Sequence, residues 1–278
     1  MAVLGSVLID GVAFDADDAS ISVFDIGFQR GYGCFEAMRA YNGSIFRLGP
    51  HLDRLERSAT KLHLPTPDRD AIGTWCRSVA AAAGDSVVRA FMSGGTDAKA
   101  PGTNSRIVVF AEAVPFMPSA LALQTRVAPW HTDGEWFELT GAKGLSYGFN
   151  LVASIAAAED GFDDALLIGR RGHVLEGPTF SIGWVSEGIF HTPGTEIGIL
   201  ESITRRAVID AAARIGVDVR EGTYGTESVM DAEEVIAMST VRQVLPVIRV
   251  DTQTYRPGII TRALQGAFAS LVDEELAR

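Results

Sequence analysis

The chain has 278 residues, 47% of them hydrophobic, and carries 24 lysines and arginines against 35 aspartates and glutamates, for a net charge of −11. That balance excludes a nucleic acid or an anionic membrane as partner, since either needs a basic face to displace counterions, and it leaves small molecules as the expected ligands. No run approaches the roughly 20 apolar residues that span a bilayer, no basic region precedes the N-terminal apolar run, and the two distant cysteines, Cys34 and Cys76, suggest neither a disulfide framework nor a metal site. A cytoplasmic location is expected.

The alternation in Ser6–Asp10 and again in Ser20–Phe24 predicts a hairpin at the start of the chain. A second hairpin is predicted at Asn42-Gly43, between Arg39–Tyr41 and Ile45–Arg47, because both central residues of such a turn need positive φ. Pro50 then opens a helix with Leu52, Leu55, Ala59 and Leu62 on one face, closed by Pro65, and Lys61 falls off that face. A second helix is predicted over Asp68–Ala83, stopped by Gly84. Strands follow at Val87–Met92 and Ile107–Ala113, around a Gly/Ala/Pro-rich loop. The two prolines of Val114–Ser119 predict an interdomain link, dividing the chain into a smaller domain, 1–117, and a larger one, 118–278. In the larger domain we expect a strand at Leu121–Ala128, an aromatic loop over 130–139 and an alanine-rich helix over Gly148–Asp160. Strands near Ala165–Ile168, His173–Glu176, Gly183–Val185 and Ile189–His191 lead to a helix at Ile203–Ile215. Three more strands, near Val217–Arg220, Val235–Met238 and Pro246–Val250, precede a C-terminal helix from Ile259. Hairpins with interspersed helices predict an α+β fold, with a curved sheet or pseudo-barrel in the second half.

Only three of the cationic residues are lysines, Lys61, Lys99 and Lys143. Lys143 lies in the glycine-punctuated segment Thr140–Gly148, just ahead of a helix. A guanidinium cannot lose its proton and act as a nucleophile, so a lysine kept here suggests a Schiff-base amine. Glu176 is a carboxylate at a strand end that could keep a pyridine nitrogen protonated. Glu201–Arg205 opens an amphipathic helix whose free N–H groups and dipole suit a phosphate, and Ser239-Thr240 offers similar donors. Against these stands Gly144-Leu-Ser146-Tyr-Gly148, which matches a nucleophile elbow and would make Ser146 a hydrolase nucleophile with Asp163 or Asp164 and His173 or His191. It lacks the buried strand such an elbow needs. Gly31-Tyr-Gly33 fails the dinucleotide fingerprint, and the five histidines show no metal-binding spacing.

Taken in order, Gly31–Gly43 with Ile45–Leu55, Lys143, Val174–Gly177, Leu200–Arg205 and Ser239–Val247 resemble the class IV, or fold-type IV, pyridoxal-phosphate aminotransferases. That group holds branched-chain aminotransferases, D-amino-acid transaminases, (R)-amine transaminases and aminodeoxychorismate lyase. The resemblance implies pyridoxal 5'-phosphate as cofactor, Lys143 as Schiff-base lysine and proton shuttle, and Glu176 as partner of the pyridine nitrogen. It implies Arg54, Ile203, Thr204 and Thr240 around the phosphate, Tyr147 beside the cofactor, and Thr240 and Val241 as a turn facing the substrate carboxylate. Arg30, Phe35, Arg39 and Arg89 are the further substrate-binding candidates. The implied reaction moves an amino group from an amino acid, with branched-chain or similar apolar L-amino acids favoured, to a 2-oxo acid such as 2-oxoglutarate or pyruvate. Lyase chemistry and D-amino-acid or (R)-amine transamination are the alternatives. Phe35-Glu-Ala-Met-Arg39 and Val87 before Arg89 depart from the branched-chain pattern, and Tyr147 and Pro178 lean toward the other branches. A homodimer is also implied, with Arg30 and the 96–103 loop as candidates to close the partner's site.

Overall fold

The computed structural model describes residues 2–135 and 137–277, so Trp136 of the aromatic loop lies outside the described residues. Two compact units divide it: the first runs to Phe116 and takes in Ala142–Tyr147, and the second comprises Met117–Gly141 and Gly148–Ala277.

In the first unit, β1 (Val3–Ile9) pairs antiparallel with β2 (Val12–Phe14). The opening hairpin is therefore tighter than the sequence alternation suggested, and Ser20–Phe24 forms no strand. The reason is Asp10-Gly11, both at positive φ (50° and 82°), a two-residue turn that matches strand twist and closes the hairpin early. A short helix α1 (Ile26–Arg30) is capped by Asp25 and ends at left-handed Gly31. Strand β3 (Gly33–Tyr41) then turns at Asn42-Gly43 (φ 46° and 84°) into β4 (Ser44–Ile45), as predicted. Helix α2 (Leu48–Lys61) starts two residues before Pro50, which is tolerated because first-turn N–H groups have no intrahelical acceptor. Helix α3 (Arg69–Ala83) takes Asp68 as its N-cap and Gly84 as its stop. With β5 (Ser86–Ser93) and β6 (Ile107–Glu112) these strands make an antiparallel sheet of order β2-β1-β6-β5-β3-β4. Along β3 the side chains alternate: Cys34, Glu36, Met38 and Ala40 are buried on the face that α2 and α3 cover, while Phe35, Ala37, Arg39 and Tyr41 line a half-buried face.

The second unit holds β7 (Leu121–Val127), α4 (Gly148–Glu159), β8 (Asp164–Ile168), β9 (Ser181–Ser186), β10 (Ile189–Pro193) and α5 (Ile203–Arg214). It continues with β11 (Val219–Gly222), α6 (Glu227–Met230), β12 (Glu234–Ser239), β13 (Gln243–Val250), β14 (Gln253–Thr254) and α7 (Ile259–Leu276). The sheet order is β11-β10-β9-β12-β13-β7-β8, with β14 on β13 and a mixture of parallel and antiparallel pairs. The predicted strand at His173–Glu176 is reduced to isolated bridges, Ile168 with Val174 and His173 with Gly225. These bridges still link β8 to the segment after β11, the two ends of the strand order. Trp184, Ile182, Leu123 and Val235 lie at the centre of the core, all 1% exposed or less. No helix among the described residues is long and apolar enough to cross a membrane.

Candidate active site

Lys143 follows Ala142 in a segment that sequence order assigned to the C-terminal domain, yet it is bound to the first unit. The cause is backbone pairing with the start of β3: Phe35 N–H donates to the Lys143 carbonyl at 3.0 Å and Leu145 N–H to the Gly33 carbonyl at 2.9 Å. Ser58 on α2 fixes the other side, since its Oγ accepts from Lys143 N–H at 3.0 Å and donates to the Arg54 carbonyl at 2.8 Å. The Lys143 amine lies 3.3 Å from Tyr147 Oη and 4.5 Å from the Phe35 ring centroid. Tyr147 packs edge-on to Phe35 at 5.3 Å. Among the described residues no carboxylate pairs with this amine.

Beneath Phe35, on the covered face of β3, is an ion network that the sequence reading missed. Glu36, fully buried, accepts from Arg54 Nε at 2.7 Å and a terminal Arg54 nitrogen at 2.8 Å, and lies 2.7 Å from His51 Nδ1. Burial alone would raise the Glu36 carboxyl, but the Arg54 charge and the hydrogen bonds from Arg54 and His51 outweigh it and hold the group at about 2. His51 is pushed down, first by burial and then by the Arg54 and Lys143 charges, against the opposing Glu36 contact. Arg54, the phosphate candidate, thus spends two of its donors on Glu36.

The remaining sequence candidates of this unit share the half-buried sheet face, Arg30 excepted. Phe35, Phe91 and Phe110 stack across three strands with centroids 5.5 and 5.8 Å apart. Arg89 gives Nε at 2.7 Å to Glu112. Arg39 donates to the carbonyls of Ala40 and Ser86 and lies over the Tyr41 ring. Arg30 is exposed at the end of α1. Ser146 is exposed too, and its hydroxyl donates to the Gly31 carbonyl at 3.0 Å. His173 pairs with Asp133 and His191 with Tyr224, so the nucleophile-elbow reading fails: no strand leads into Ser146 and no histidine receives its proton.

In the second unit, Glu176 is held beside β8, its carbonyl accepting from Leu167 N–H at 2.9 Å. One carboxylate oxygen accepts from Leu200 N–H at 3.1 Å and lies 3.6 Å from His131 Nε2. The other accepts no hydrogen bond among the described residues, although the side chain is only 17% exposed. Helix α5 begins at Ser202, whose Oγ takes the Arg205 N–H at 3.2 Å, leaving the Ile203 and Thr204 amides as first-turn donors without intrahelical acceptors. Thr240 and Val241 occupy the tight turn between β12 and β13, closed by Arg242 N–H on Ser239 Oγ. Arg242 is itself tied to Asp164 at 2.8 Å. His131 lies 45 positions from Glu176, and no local pattern in the sequence marks it as a neighbour.

Comparison with known proteins decides what this chemistry belongs to. The family described as Amino-transferase class IV matches residues 33–250. The chain belongs to the class IV aminotransferases. It is 28% identical to the branched-chain-amino-acid aminotransferase of Pseudomonas aeruginosa, over 96% of this chain and 93% of that protein. It is also 28% identical to the aminodeoxychorismate lyase of Bacillus subtilis, over 93% and 92%. A fold IV transaminase from Curtobacterium pusillum superposes with a TM-score of 0.88 at 27% identity, covering 97% of this chain and 94% of that one. This class IV aminotransferase has the α+β architecture of fold-type IV and is a transaminase that uses pyridoxal phosphate, with amino acids and 2-oxo acids as substrates. Its residues fit that cofactor. A mostly buried carboxylate with one unused oxygen suits a pyridinium N–H, and a helix N-terminus with two free amides suits a phosphate.

Proposed function

We propose that the enzyme moves the amino group of an apolar L-amino acid, branched-chain donors first, to 2-oxoglutarate or pyruvate, and that Lys143 is the amine to which the cofactor is joined. The observation that carries this reading is the Lys143 amine itself, fixed through its own backbone by Phe35 and Ser58 and set against Phe35 and Tyr147, with no carboxylate counter-ion among the described residues. Pyridoxal phosphate, when bound, supplies an aldehyde for the amine and a ring that draws negative charge away from the carbon being deprotonated. Lys143 Nζ would hold the cofactor and would take up the α-proton of the donor. Tyr147 Oη, within 3.3 Å, orients that amine. The Glu176 oxygen that accepts no hydrogen bond among the described residues would take the ring N–H, Ile203, Thr204 and Thr240 would supply phosphate donors, and Arg54 would add charge. Thr240 and Val241, in the turn after β12, would face the substrate carboxylate. Phe35 and the aromatic stack beside it favour an apolar side chain on the donor.

A lyase outcome on the same residues is the second reading, favoured by the equal identity to an aminodeoxychorismate lyase. Two measurements test the proposal. Borohydride reduction of the loaded enzyme followed by peptide mapping should leave the pyridoxyl group on Lys143; a label on Lys61 or Lys99, or none, refutes that assignment. Incubation with leucine plus 2-oxoglutarate should give glutamate, whereas pyruvate from aminodeoxychorismate without amino transfer would assign the lyase reaction. We also propose a cytoplasmic homodimer. Its support is the run of exposed apolar residues Ile21, Val23, Phe24 and Phe28 beside a cavity of about 370 Å³, and two buried free cysteines. Sedimentation at the mass of a monomer would refute the dimer.

A further inference from the structure

We infer that His131 is a positioning residue for the cofactor: its Nε2–H, together with the Leu200 amide, fixes one oxygen of Glu176 so that the other meets the pyridine nitrogen. This deepens the proposed function and rests on Glu176 as the partner of that nitrogen. The contacts fall on one oxygen only. Glu176 Oε1 accepts from Leu200 N–H at 3.1 Å and lies 3.6 Å from His131 Nε2, while the second oxygen accepts no hydrogen bond among the described residues. An ionised carboxylate can only accept, so the ring nitrogen that faces it carries the imidazole proton. The opposite nitrogen agrees. His131 Nδ1 is buried with no hydrogen-bond partner among the described residues, so no acceptor stands beside it to receive an N–H. The tautomer is assigned from these partners.

What makes His131 more than a neighbour is the way its loop is held, with both flanks tied to the segments around Glu176. On the N-terminal side, Ala128 N–H donates to the Ile168 carbonyl of β8 at 2.8 Å. Trp130 Nε1 donates to Asn150 Oδ1 at 3.2 Å, and Asn150 Nδ2 donates at 3.0 Å to the carbonyl of Pro178, just beyond Glu176. On the C-terminal side, buried Asp133 accepts from Arg171 N–H at 2.7 Å and pairs with His173 Nδ1 at 2.8 Å. Gly134 N–H donates to the Ile197 carbonyl at 3.0 Å. Thr132 lies so close to Gly198 (φ 88°) that a Cβ there would stand 2.1 Å from Thr132 Oγ1. The segment from Ile197 to Leu200 thus braces the loop that carries His131 and also supplies the Leu200 amide. At 3.6 Å the His131 contact exceeds a formed hydrogen bond; a shift of a few tenths of an ångström closes it, as catalytic contacts tighten when a site is loaded. Two donors on one oxygen favour the ionised carboxylate, which leaves the shared proton on the pyridine ring.

The test reads the bound cofactor rather than turnover. Full-length enzyme is loaded with pyridoxal phosphate isotopically labelled at the ring nitrogen, whose NMR resonance distinguishes a protonated from a neutral pyridine. His131→Leu keeps bulk and removes the donor, so the resonance should move from the protonated toward the neutral position. The dissociation constant of the cofactor, measured by equilibrium dialysis, should rise by about tenfold, the scale of one charge-assisted hydrogen bond. His131→Gln can set an amide N–H where Nε2 stands, and should restore the resonance and bring the constant within about threefold of the parent. Melting curves of the cofactor-free variants establish that each is folded, and His131→Phe replaces the leucine variant should that fold poorly. Glu176→Gln is the reference and should leave the ring nitrogen neutral whatever stands at position 131. If Glu176→Gln shifts the signal while a folded His131→Leu keeps the parent's resonance and dissociation constant, the inference is overturned and the reading of Glu176 stands. Equal losses in the leucine and glutamine variants overturn it too, since shape rather than a donor would then be required. A parent whose ring nitrogen is neutral, or a Glu176→Gln enzyme with the parent's resonance, overturns the reading of Glu176 and this inference with it.

Discussion

Glu36→Gln is the substitution whose cost the structure fixes most closely. The side chains of Glu36, Arg54 and His51 are 0%, 5% and 3% exposed, so water cannot replace what the carboxylate supplies. Glutamine keeps one acceptor oxygen for Arg54 but leaves the guanidinium without its counter-charge, and breaking a buried pair in this way costs about 3–5 kcal/mol. Taking the lower end because one hydrogen bond survives, and several degrees of melting temperature per kcal/mol for a domain of this size, the expected fall in Tm is on the order of 10 °C. The assay is thermal unfolding of the cofactor-free protein followed by circular dichroism, which separates stability from any effect on cofactor binding. The double variant Glu36→Leu with Arg54→Met leaves no orphaned charge and should lose less than Glu36→Gln alone. A Glu36→Gln midpoint within about 2 °C of the parent would refute the argument, and so would a double variant that melts below the single one.

The parts of this molecule that were legible in the sequence are those whose signal is local. Asp68 before α3, Ser202 before α5 and the Asn42-Gly43 turn each announce an element by a side chain or a φ requirement within a few residues. The same logic, applied to Asp10-Gly11, would have placed the first hairpin correctly; the longer apolar alternation at Ser20–Phe24 masked it. The location of Lys143 was not legible, because its neighbours come from backbone pairing with β3 across more than a hundred positions. Glu36 had a signal that went unused. It stands in the buried phase of a strand between Cys34 and Met38, where an acid survives only with a partner, and the candidate partners one helix later, His51 and Arg54, sit one turn apart on α2. Glu112 beside Arg89 and His131 beside Glu176 had no such signal, since sheet register in one case and loop packing in the other brings them together.

Three further outcomes follow from these geometries. Lys143→Arg keeps the charge but loses the nucleophile, so borohydride labelling should vanish and amino transfer should fall by about 10³-fold or more; a retained label or activity would refute its role. Glu176→Gln removes the carboxylate oxygen that accepts no hydrogen bond among the described residues, and kcat should fall by about 10²-fold with an unchanged melting curve; equal loss of stability would make Glu176 structural. The third is an acid sensitivity that starts near neutrality. His51, held down by burial, stays unprotonated when folded, so the unfolded chain binds the extra proton and stability falls as pH drops below 6.5. Glu36 adds to this from its ordinary 4.5 down to about 2, where the folded carboxyl finally protonates, a contribution of about 3 kcal/mol at full burial. Both groups act in the same direction, because in each case the unfolded state takes up more protons. Melting temperatures at pH 7, 5.5 and 4 should therefore decline, more steeply at the acid end, and Glu36→Gln should flatten that lower branch. A midpoint that holds constant from pH 7 to 4 would contradict the buried network as the source of this enzyme's acid response.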